Sequence, residues 1–107
     1  MKVLMIAGLG NPGEEYYLTR HNAGADYVSQ LCHKNALPLK KEKQINGSYA
    51  EVSTEQYRLI FIIPSTYMNE SGLCISKSKK FFNLETDQIL IAHDELDRKQ
   101  KSWFKTY

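Results

Sequence analysis

The chain has 107 residues, 42% of them hydrophobic and 24% charged, with a formal net charge of +2; this describes one globular domain with a single core and little to spare. No apolar run approaches a bilayer span, and the start (M-K-V-L-M-I-A-G-L-G) has too short an apolar part for a signal peptide, so a cytoplasmic chain with no membrane partner is expected. Residues 98–107 hold Arg98, Lys99, Lys101 and Lys105 and no acid, which leaves ten basic against twelve acidic groups, a net of −2, in residues 1–97. That excludes a generally basic nucleic-acid binder, and any RNA contact has to rest on local groups.

In chain order, Lys2 to Leu9 is a continuous apolar run, the mark of a strand buried on both faces. Gly8, Gly10, Pro12 and Gly13 then force a loop. Asn22 can cap a helix to about Asn35, with Ala25, Val28, Leu31 and Cys32 on one face. Pro38 to Gly47 is polar and basic, an exposed loop or short edge strand. Ser48–Ser53 and Tyr57–Ile63 read as two strands joined by a tight turn at Thr54–Gln56, and Pro64 ends the second. Glu70 or Ser71 starts a helix to about Asn83, with Leu73, Cys74, Lys77 and Phe81 roughly aligned. Gln88–Ala92 is a last short strand that delivers His93 and Asp94 at its C-terminal end. Strand, helix, hairpin, helix and strand make an α/β fold, a mixed, largely parallel sheet flanked by helices.

Several groups in this pattern carry chemistry. Gly8-Leu9-Gly10-Asn11-Pro12-Gly13 formally fits the glycine pattern of dinucleotide sites. However, the loop runs on to His21, Glu14 and Glu15 follow where phosphates would sit, and residues 30–40 contain no acid, so that reading is set aside. Glycines as mere turn-makers leave Asn11 unexplained. A neutral imidazole at His21 can take a proton from water, as ester hydrolysis requires. Such a base needs an orienting carboxylate, and Asp94 leaves the sheet at the edge where open α/β folds bind ligands. Adjacent His93 should point to the other face, and Glu95 and Asp97 read as solvated.

Tyr67 and Met68 can offer an apolar surface to a ligand while Asn69 donates hydrogen bonds; the bland alternative is a loop with an exposed aromatic. Tyr16 and Tyr17 can stack on a base, although one of them is expected to face inward. Cys32 and Cys74 read as small buried hydrophobes, and with His21, His33 and His93 they give no paired metal-ligand spacing. Lys40, Lys41, Lys43, Lys77, Lys79 and Lys80 read as solvated faces.

Three of these stretches, G-L-G-N-P-G with T-R-H-N-A-G (Gly8 to Gly24), P-S-T-Y-M-N-E-S-G (Pro64 to Gly72) and I-A-H-D-E-L-D (Ile91 to Asp97), resemble the bacterial peptidyl-tRNA hydrolase family over residues 1–97. The resemblance implies cleavage of the ester between a peptide and the terminal ribose of a tRNA, with peptidyl-tRNA as partner and no metal, nucleotide or other cofactor. It implies His21 as the general base, Asp94 holding its tautomer, and Asn11 contacting the peptide end. Tyr16, Tyr67 and Asn69 would contact tRNA and substrate backbone, with Met68 lining the peptide channel.

After H-D-E-L-D the pattern departs. The family continues with a Pro-Gly turn, a basic strand and a glycine-rich segment ending G-H-N-G; this chain gives R-K-Q-K-S-W-F-K-T-Y, where only Phe104-Lys105-Thr106 resembles the basic strand. The expectation is a single truncated hydrolase domain over 1–107 with a divergent basic tail at 98–107, an incomplete version of the family fold. Its alternative function is that of a catalytically impaired fragment with weak RNA binding. The family is expected to be monomeric, whereas truncation should uncover one sheet face, leave a strand edge unpaired, and favour self-association and marginal stability.

Overall fold

One strand, β1 (Lys2–Gly8), runs through the middle of a six-stranded sheet and fixes the position of everything else. The computed structural model describes residues 2–9, 23–65, 71–92 and 104–106. After β1 come α1 (Ala23–Lys34), β2 (Lys40–Glu42), a 3-10 turn (Lys43–Ile45), β3 (Gly47–Ser53) and β4 (Tyr57–Pro64). They are followed by α2 (Ser71–Phe81), a second 3-10 turn (Thr86–Gln88), β5 (Ile89–Ala92) and β6 (Phe104–Thr106). The strand order is β2-β3-β4-β1-β5-β6. The central pairings, β1 with β4 and β1 with β5, are parallel, and the outer three are antiparallel. This is the mixed α/β sheet that the sequence predicts.

The alternation of side chains across the pleat divides the core in two. Met5 and Ala7 of β1 lie with Ile60, Ile62, Ile89 and Ile91 on the face covered by Cys74 and Ile75 of α2. Ile6 lies on the other face with Phe61, Ala50 and Ala92, against Val28 and Cys32 of α1. A strand with helices on both faces has no polar side to show, which is why β1 and β4 read as unbroken apolar runs. Each fully buried Ile or Met contributes about 1.5–3 kcal/mol by leaving water.

Both helices stop in the same way. Ala36 adopts φ 55° and Asn83 φ 55°. The Ala36 N–H donates to the His33 carbonyl at 3.1 Å and the Leu37 N–H to that of Cys32 at 2.9 Å. At α2 the Asn83 and Leu84 N–H groups do the same to Lys80 and Lys79. This paired left-handed cap satisfies the last carbonyls and turns the chain back towards the sheet.

Two expectations change. On α2 the apolar stripe is not Leu73, Cys74, Lys77 and Phe81: Leu73 is 51% and Phe81 39% exposed, while Cys74, Ile75 and Ser78 are buried. A polar serine hides the true stripe from a reading by hydrophobicity. Residues 38–47 include an edge strand, β2, but their Ile45 is fully buried beneath α2's side of the sheet. On the other side of the sheet β5 is paired with β6, with Ile91 opposite Lys105. As the sequence predicts, both cysteines are buried and free, and burial pushes each thiol up.

At the N-terminal ends of the strands an open groove of about 650 Å³ is lined by Lys2, Val3, Leu4, Tyr57, Leu59, Asp87 and Gln88. It lies at the end of the sheet opposite to the loops that carry the sequence motifs.

Candidate functional site

The three motif-bearing loops leave the sheet from one place. Residues 10–22 follow the end of β1, residues 66–70 follow β4, and residues 93 onward follow β5. These strands are adjacent and parallel, so all three loops start from the same edge. The helices that follow β1 and β4 cover opposite faces, so the edge at β1 is the switch point where open α/β sheets form a crevice.

Backbone contacts draw the loop origins together. The Leu9 N–H donates to the Ala92 carbonyl at 3.0 Å, tying the end of β1 to that of β5. The Leu9 carbonyl accepts from Ala25 N–H at 2.9 Å, which sets the first turn of α1 against the same strand end. Gly8 permits this approach: a Cβ there would lie 2.5 Å from the Gly24 carbonyl oxygen. The first turn of α1 and the end of β5 therefore both meet the end of β1.

The β4 side is buttressed separately. Asn46, left-handed at φ 53°, closes the 3-10 turn, and its carbonyl accepts from the Ser65 N–H at 3.0 Å. Gly47 follows, where a Cβ would meet the Ile63 carbonyl oxygen at 2.7 Å. The Asn-Gly pair thus fits a left-handed turn pressed onto the end of β4. Lys41, Glu42, Lys43, Asn46, Gly47 and Ser65 line a pocket of about 310 Å³ there. The Lys77 ammonium, from α2, donates to Asn46 Oδ1 at 3.5 Å. Sequence reading missed this convergence; its one local signal was the Asn-Gly pair within the basic stretch.

The predicted site residues themselves, Asn11, Tyr16, His21, Tyr67, Met68, Asn69 and Asp94, lie outside the described residues, as do Tyr17 and His93. The structure fixes the strand and helix ends from which their segments depart. Among the described residues no group of three or more His, Cys, Asp or Glu side chains could hold a metal ion. No helix among them is long and apolar enough to cross a membrane.

Comparison with known proteins adds the remaining observation. The family model described as peptidyl-tRNA hydrolase matches residues 5–102. The peptidyl-tRNA hydrolase of Chromohalobacter salexigens is 48% identical over 95 residues, covering 89% of this chain and 49% of that protein. That of Marinobacter nauticus is 45% identical over 95 residues, covering 89% and 48%. A crystal structure of peptidyl-tRNA hydrolase from Acinetobacter baumannii superposes with a TM-score of 0.81 at 43% identity, covering 89% of this chain and 48% of the other. The chain spans about half the length of the relatives it matches. A match that runs from inside β1 to just short of β6, on a shared fold, places this chain in the peptidyl-tRNA hydrolase family.

Proposed function

We propose that this chain hydrolyses the ester of peptidyl-tRNA, releasing the peptide and a reusable tRNA, through a water activated by His21. The observation that carries the reading is the common origin of the three motif loops at one edge of three adjacent parallel strands. Asn22 immediately precedes α1 and Asp94 lies two residues beyond β5 in the sequence, while the backbone ties α1, β1 and β5 together at that edge.

In this mechanism the His21 imidazole takes a proton as water oxygen attacks the ester carbonyl. The tetrahedral adduct collapses, the bond to the ribose oxygen breaks, and the imidazolium returns its proton to the leaving hydroxyl. Asp94 orients the ring and stabilises its protonated form. Asn11 contacts the peptide end, Tyr16, Tyr67 and Asn69 contact tRNA and substrate backbone, and Met68 lines the peptide path. Because the ester is already activated, a positioned water and donors for the oxyanion suffice.

The test is release of the acyl group from an N-blocked aminoacyl-tRNA by the purified chain beside His21→Ala. Turnover that disappears in the variant supports the reading, and equal rates in both remove it. A second reading, a catalytically impaired fragment that binds RNA weakly, draws on the half-length match to the relatives. It predicts RNA binding that His21→Ala leaves unchanged, with no turnover in either form.

A further inference from the structure

We propose that the pocket between the 3-10 turn and the end of β4 binds a backbone phosphate of the substrate's RNA, held by Lys41, Lys43 and Lys77. This rests on the hydrolase reading above and adds to it a contact outside the three motif loops. Lys41 and Lys43 line the pocket from β2 and the turn, and Lys77 reaches the same turn from α2. Lys77 is distant from the other two in sequence, and its contact with Asn46 brings its ammonium to a wall residue of the concavity that Lys41 and Lys43 line.

Charge makes the concavity selective. Residues 1–97 carry a net of −2, yet two of their ten basic groups line this concavity and a third, Lys77, contacts its wall residue Asn46. The single carboxylate in the wall, Glu42, is engaged locally, its Oε2 accepting from the Gln44 N–H at 3.1 Å. Lys41, Lys43 and Lys77 are all exposed. An ammonium has three donors, and the 3.5 Å contact to Asn46 uses one of those on Lys77. Lysines presenting point charges at an open site suit a phosphodiester, which needs compensation of charge rather than a fixed planar fork.

Placement makes it relevant to the same substrate. Ser65 forms part of the wall and is followed two and four residues later by Tyr67 and Asn69. Connectivity alone keeps the Asn69 backbone within about 14 Å of Ser65. A polynucleotide whose 3′ end reaches the motif loops would therefore have a phosphate within range of the pocket.

The experiment measures binding of a tRNA acceptor-stem minihelix to the 107-residue chain across a salt series. The variants are Lys41→Gln/Lys43→Gln/Lys77→Gln, the same three changed to Arg, and a control, Lys34→Gln/Lys80→Gln, at the far ends of the two helices. All five positions are exposed, and thermal unfolding checks that the variants fold. The expected result is a slope of log affinity against log salt shallower by about one to two in the Gln variant, retained in the Arg variant and unchanged in the control. An unchanged slope in the Gln variant overturns the proposal and leaves the hydrolase reading standing. An equal fall in the control overturns it too, since the charge effect would then be diffuse. If the chain does not bind the minihelix, the pocket proposal fails, while the His21-dependent turnover assay decides the hydrolase reading independently.

Discussion

A Cβ placed on Gly8 would lie 2.5 Å from the Gly24 carbonyl oxygen and 2.7 Å from Val28 Cγ2. The first obstacle is backbone, so it cannot turn aside as a flexible side chain could. Gly8→Ala must therefore push α1 away from β1, at a cost of about 1–3 kcal/mol typical of overpacking. We expect a lower unfolding midpoint and, since residues 10–22 connect this strand to this helix, a loss of turnover larger than the loss of folded protein. Turnover per folded molecule equal to wild type would show that the contact supports stability alone.

Ala36 offers a change in the opposite direction. Its φ of 55° is one that an L side chain adopts at a cost, and the residue is exposed at the end of α1. Ala36→Gly relieves that strain within an otherwise satisfied cap, so a stabilisation of up to about 1 kcal/mol is expected. Chemical denaturation would record it as a higher midpoint without a change in slope.

The core and the surface should respond very differently. Ile60 is fully buried beside Met5 in the central strands, so Ile60→Ala should cost about 2–5 kcal/mol. Glu51 and Arg58 form an ion pair at 2.6 Å, but their side chains remain 37% and 32% exposed. Water and salt screen such a pair, and Glu51→Gln should cost no more than about 1 kcal/mol. Arg58 also lies 5.6 Å from the Phe82 ring centroid, a contact that this substitution leaves in place. Denaturant titration of both variants makes the comparison, and a larger loss at Glu51 would contradict it.

Burial raises the pKa of Cys74, opposed by its contact with Ser78, whose Oγ lies 4.0 Å from the sulfur. Burial alone raises that of Cys32. Both thiols should resist alkylation in the folded chain and react on unfolding. The native state holds these protons more tightly than the unfolded state, so their contribution to stability is intact below the ordinary thiol pKa of about 8.5. It should be lost progressively as pH rises above that value and through the raised native values. Alkylation rates in native buffer equal to those in denaturant would refute the assignment.

Sequence by itself determined β1, β3, β4, β5, the two helices and the chain positions of the motifs, because apolar runs, turn residues and helix caps act over a few neighbouring residues. Lys2–Gly8, Ala23–Lys34 and Tyr57–Pro64 fall where those local signals predict. Tertiary structure decided which side of α2 faces inward, since Ser78 is buried where its polarity alone suggests exposure. It also decided that Ile45 joins the core, that β6 covers β5, and that Lys77 reaches Asn46 at the close of the turn that begins at Lys43. These relations join residues distant along the chain. They depend on how the helices and strands are set against one another, which local periodicity does not encode.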